Sequence, residues 1–87
     1  MSEKIYVHIE YYQDGKVKEE GLINNGLKEG VWIEYYHNKT PKVKKYYLSG
    51  EKHGTFEYFK ENSELDFKVQ YNLGKIKVSN FNIKKII

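Results

Sequence analysis

The sequence predicts an all-β fold: a single-layer antiparallel β-meander of successive hairpins with about seven strands. Three observations predict it. The apolar set is β-branched and aromatic, with nine tyrosines, four phenylalanines and one tryptophan among 87 residues, as half-buried pleated surfaces favour. Alanine, the strongest helix former, is absent. An aromatic phrase also recurs at a period near 24: Ile9-Glu10-Tyr11-Tyr12 returns as Ile33-Glu34-Tyr35-Tyr36, Gly26 as Gly50 and Gly74, Gly30 as Gly54, and Trp32 as Phe56. A period in this range marks an array whose units rely on their neighbours.

The elements follow in order. Lys4 to Tyr12 alternates Ile5, Val7, Ile9 and Tyr11 on one face with Tyr6, His8, Glu10 and Tyr12 on the other. Asp14-Gly15 offers a tight turn, Lys16 to Ile23 runs back, and Asn24-Asn25-Gly26 is the next turn signal. Val31–Tyr36, Lys42–Leu48, Thr55–Phe59, Leu65–Tyr71 and Lys75–Ile83 read as further strands, separated by turn-rich His37–Pro41, Ser49–Gly54, Lys60–Glu64 and Asn72–Lys75. No segment carries a helical period, and connections this short favour antiparallel neighbours. The chain reads as a single domain, 1–87, with repeat units at about 9–32, 33–56 and 57–80. In the third unit Glu57-Tyr58-Phe59 matches Glu34-Tyr35-Tyr36 at an offset of 23, which predicts a one-residue slip and a bulge or altered turn near Lys60 to Ser63. Such a slip exchanges the two faces of a strand.

Composition bounds the function. The apolar fraction is 39%, so the core is thin and largely aromatic. Net charge is +3, and all fifteen cations are lysine. Arginine supplies bidentate phosphate and guanine recognition, so its absence argues against sequence-specific nucleic-acid binding. With no cysteine, disulfides and Cys-based zinc sites are excluded. No apolar run reaches signal-peptide or membrane-spanning length, and a soluble, cytoplasmic protein is expected.

No catalytic constellation appears. His8, His37 and His53 have no metal-binding spacing. Glu19-Glu20, Glu61, Glu64 and Asp66 read as solvated turn and edge charge, and none of Ser2, Ser49, Ser63 and Ser79 sits in a nucleophile elbow. Asn24 to Gly30 contains two glycines but lacks the strand-to-helix setting of a phosphate loop. A non-enzymatic protein with no cofactor or metal is expected.

Gly30, Trp32, Tyr35, Tyr36 and Gly26, with their partners Gly50, Gly54, Phe56, Tyr58 and Phe59, resemble the bacterial variant of the MORN repeat over about Ile9 to Lys75. Lys39 stands where that pattern has a turn glycine. The resemblance implies stacked hairpins with ladders of equivalent aromatics. It also implies a non-enzymatic protein-interaction module, since bacterial proteins with this repeat are often antitoxin components that neutralise a toxin. The family's eukaryotic relatives imply the alternative, peripheral binding to anionic lipid at a membrane surface.

Two residue groups could carry such binding. Tyrosine and tryptophan are enriched at protein-binding hot spots, and Tyr12, Trp32, Tyr36 and Tyr58 are the partner-binding candidates. Lysines interleaved with aromatics can bind anionic lipid or single-stranded nucleic acid, and Lys42, Lys44, Lys45, Lys84 and Lys85 are the candidates for that. Lysine also protects exposed strand edges. The open edges of such a sheet leave self-association as a further expected mode.

Overall fold

The computed structural model describes residues 4–77. It is one open antiparallel sheet of eight strands in meander order, with no helix among the described residues. The strands are β1 (Ile5–Tyr11), β2 (Val17–Asn24), β3 (Leu27–Tyr35), β4 (Pro41–Leu48), β5 (Glu51–Lys52), β6 (Gly54–Phe59), β7 (Leu65–Asn72) and β8 (Lys75–Ile76). The sheet measures 46 × 34 × 15 Å. The extra strand relative to the seven expected has a simple origin. Shifted by 24, Leu27–Tyr35 falls on Glu51–Phe59, so β5 and β6 together repeat β3, interrupted only at His53.

The period is kept throughout. Three connections repeat the same bonds: the amides of Tyr12, Tyr36 and Lys60 donate to the carbonyls of Lys16, Thr40 and Glu64. Asp14, Asn38 and Asn62 each cap the amide two residues on, the Asx geometry that lets a side chain stand in for a turn. Gly15, Lys39 and Ser63 all hold positive φ there (89°, 74° and 75°). Bulges fall between Glu10 and Tyr11, Glu34 and Tyr35, and Tyr58 and Phe59. The one-residue slip expected in the third unit therefore does not occur. Phe59 takes the place of Tyr35, Tyr58 that of Glu34, and Lys60 that of Tyr36. Side-chain likeness had suggested a shorter offset, but backbone hydrogen bonds and a shared turn hold the longer one.

At the other end of the sheet, Asn25-Gly26, Ser49-Gly50 and Leu73-Gly74 place both central residues at positive φ, as two-residue hairpins matching strand twist require. Gly50 and Gly74 amides donate to the carbonyls of Lys28 and Lys52, again 24 apart.

One face carries the core. Trp32, Val43, Tyr47 and Phe56 form the buried cluster, with Ile23, Tyr58 and Tyr71 packed against it, and Val69 of β7 is also buried. Trp32 pairs with Gly21 of β2 and Lys45 of β4, and its indole N–H donates to the Leu22 carbonyl at 3.0 Å. A Cβ on Gly21 would collide with the indole ring, so the ring lies over that glycine. Left-handed Gly30 (φ 73°) lies within β3 at its register shift against β2, and its equivalent Gly54 (φ 74°) opens β6. The segments before them carry lysines over the rings. Lys28 Nζ is 4.5 Å from the Trp32 ring centroid and 5.0 Å from that of Tyr47; Lys52 Nζ is 5.7 Å from Phe56 and 5.1 Å from Tyr71. Flanking strands, the glycine floor and these lysine stems bury an indole to 1% exposure within one sheet.

Candidate functional site

The aromatic candidates separate into one core residue and three half-buried ones. Trp32 lies in the core rather than on the surface. Tyr12 and Tyr36 are half-buried and repeat one contact: their hydroxyls donate to the carbonyls of Tyr35 and Phe59, each at 2.6 Å. Each tyrosine thus ties one turn to the next hairpin. The Asn38 side-chain amide adds a parallel bond to the Glu61 carbonyl at 3.1 Å. In the preceding unit His37 does related work, stacking on Tyr12 with centroids 3.8 Å apart and bringing Nδ1 within 3.1 Å of Asp14 Oδ2. A hydrogen bond from the Lys16 amide, with His37 beside it, holds the Asp14 carboxyl below the usual carboxylate range. Tyr58 is half-buried and stacks on Phe67 at 4.5 Å, and burial raises its phenol above the ordinary value.

The lysines separate too. Lys45 sits on the core face between two carboxylates, 2.7 Å from Glu19 Oε2 and 3.3 Å from Glu34 Oε1. Burial opposes its charge, but the Glu19 hydrogen bond and the charges of Glu19 and Glu34 outweigh it and raise its pKa. The structure assigns Lys45 to this internal ion pair, which corrects its reading as a free anion contact. Glu19 faces Glu34 across β2 and β3, and without Lys45 two acids would oppose each other directly. Lys42 lies 3.8 Å from Glu34 and over the Tyr36 ring. Lys44 lies over the Phe59 ring at 5.5 Å and borders a shallow 180 Å³ hollow with Pro41 and Ser63. Lys84 and Lys85 lie outside the described residues. Among the described residues no three His, Asp or Glu side chains gather as metal ligands, and no helix is long and apolar enough to cross a membrane.

The most open apolar surface is on the opposite face, and it uses residues that sequence reasoning assigned only to strand alternation. Val7 pairs with Leu22, and Val31 pairs with Tyr46. All four are exposed, Val7 to 62% and Val31 to 58%. They make two apolar pairs on one face, one across β1 and β2 and one across β3 and β4, set apart at the β2–β3 register shift where Leu22 faces Glu29; Ile5, Ile9 and Leu48 are exposed as well. The signal was present in the alternation of Ile5, Val7 and Ile9, but the choice of which face packs depends on Trp32. Only one face can hold the indole against Gly21, and the other is left open. On this open face the Tyr35 hydroxyl donates to Glu20 Oε2 at 2.6 Å. Burial, together with that bond and the Glu20 charge, pushes the Tyr35 phenol up to about 12.

Compared with protein-family models, curated proteins and solved structures, the chain has no significant match.

Proposed function

We propose that this protein is a non-enzymatic protein-interaction module that engages its partner through the open apolar face. The observation that carries this reading is the pair of exposed apolar contacts Val7–Leu22 and Val31–Tyr46, which lie on four adjacent strands opposite the aromatic core. An apolar surface of this kind, rimmed by polar groups, favours association with another macromolecule. The alternative of anionic-lipid binding has weaker support: Lys45 is neutralised by Glu19 and Glu34, and Lys28 and Lys52 lie over buried rings. The resemblance to bacterial MORN repeats narrows the proposal to an antitoxin-like partner that neutralises a toxin.

The test compares wild type with Val31→Lys and Tyr46→Ala in affinity capture from the native cell, alongside binding to vesicles containing phosphatidylserine. A captured protein lost from both folded variants supports the apolar face. Salt-sensitive vesicle binding that survives both variants and falls with Lys42→Ala/Lys44→Ala would put the lipid reading first.

A further inference from the structure

The N-terminal edge of the sheet has an unusual composition. β1 repeats the strand that in β3 and in β5–β6 lies between two neighbours, yet among the described residues it has a partner on one side only. Every residue of β1 is exposed, whereas its counterparts Trp32 and Phe56 are buried and Ile33, Tyr35 and Phe59 half-buried. Edge strands are commonly guarded by lysine, proline or inward charge. Ile5–Tyr11 has no lysine or proline, and its one charge is Glu10.

Among the described residues nothing pairs with the backbone on this edge. The Lys4 carbonyl accepts from the Asn25 amide across β2. In an antiparallel pair such bonds alternate along the strand, so Lys4, Tyr6, His8 and Glu10 bond toward β2. The N–H and C=O groups of Ile5, Val7 and Ile9 therefore point away from the sheet.

We propose that β1 pairs antiparallel with β1 of a second copy, on a two-fold axis at Val7. This proposal stands apart from the partner reading above. The register comes from charge. With Val7 opposite Val7, Ile5 faces Ile9 on the open face, Tyr6 faces His8 on the core face, and Lys4 faces Glu10 at both ends. Each outward N–H and C=O of Ile5, Val7 and Ile9 then meets its complement. Shifting the axis to His8 sets Glu10 against Tyr6 and removes both ion pairs. Shifting it to Tyr6 sets Lys4 against His8. Only the Val7 axis combines apolar pairing on one face with opposite charges at both ends. The arrangement also brings the exposed Ile5, Val7 and Ile9 of the two copies side by side, with Leu22 beyond Val7 on each.

Sedimentation equilibrium across a concentration series tests this directly, with circular dichroism as a folding control. Wild type should show a reversible monomer–dimer equilibrium. Val7→Lys, a change at an exposed position, sets two cations together on the axis and should raise the dimer dissociation constant by about tenfold or more. Lys4→Glu alone and Glu10→Lys alone should each weaken the dimer, and the double variant Lys4→Glu/Glu10→Lys should restore it. A wild type that stays monomeric throughout overturns the proposal. So does a dimer indifferent to Val7→Lys, since it would use another surface. Failure of the double reversal to restore pairing overturns the Val7 register.

Discussion

At the scale of single residues, the core rests on one matched pair. Trp32 is wider than the Phe56 that repeats it, and Gly21 opposite it is the smallest side chain available. In the repeat the place of Gly21 falls 24 residues on at Lys45, and Phe56 faces Val69 on its other side. Gly21→Ala should therefore cost about 1–3 kcal/mol through overpacking, and much less in a Trp32→Phe background. Urea denaturation of the four proteins should give a coupling of about 1 kcal/mol or more; additive costs would show that Gly21 is not fitted to the indole. Sequence reading placed Trp32 correctly in the repeat but also offered it as a surface candidate. Its burial depends on Gly21 and Lys45 in the flanking strands and on Lys28 folding back over the ring from the start of its own strand, which no local pattern encodes. Two other groups set an alkaline limit. Tyr35 and Lys45 both titrate higher in the fold than alone. Their stabilisation is complete below their ordinary values and is lost as pH rises through the folded ones. Stability should fall between about pH 10 and about pH 12. Tyr35→Phe should show a shallower fall in thermal melts over that window, and an unchanged slope would remove Tyr35 as a cause.

At the scale of the element, turns hold the period where side chains drift. Alternation and turn residues made the strands legible, but the third unit suggested a slip because Glu57-Tyr58-Phe59 imitates Glu34-Tyr35-Tyr36. What decided the register was an Asx-capped connection shared by Asp14, Asn38 and Asn62, with positive φ at Gly15, Lys39 and Ser63. Asn62 and Ser63 resemble neither Asp14-Gly15 nor Asn38-Lys39 closely enough for the likeness to stand out in one sequence. Only Gly15 is relaxed in that conformation, since a Cβ in left-handed backbone meets the following carbonyl. Lys39 is exposed with φ 74°, so Lys39→Gly should stabilise the protein by about 1 kcal/mol. The urea midpoint should rise with an unchanged slope; a lower midpoint would mean that the Lys39 side chain makes a contact worth more than the backbone strain.

At the scale of the whole molecule, the sheet is a row of hairpins in which strands bond mainly to their neighbours, so stability should be graded along it rather than uniform. The buried side chains belong to β3, β4, β6 and β7, and β1 contributes none. Tyr12 and Tyr36 tie successive turns together, but Lys60 occupies the next place in that ladder and carries no equivalent bond among the described residues. Amide hydrogen exchange should therefore be slowest in β3, β4 and β6, faster in β7, and fastest in β1. Equal protection throughout would show that the sheet opens only as a whole and that the repeat is one cooperative unit. Concentration adds a second reading to the same measurement. In dilute protein the amides of Ile5, Val7 and Ile9 face solvent and should exchange faster than those of Tyr6 and His8, which bond to β2. If β1 pairs across the Val7 axis, raising the concentration should slow Ile5, Val7 and Ile9 most, because their bonds are the ones a second copy completes. A uniform slowing of every amide would instead point to association elsewhere on the sheet.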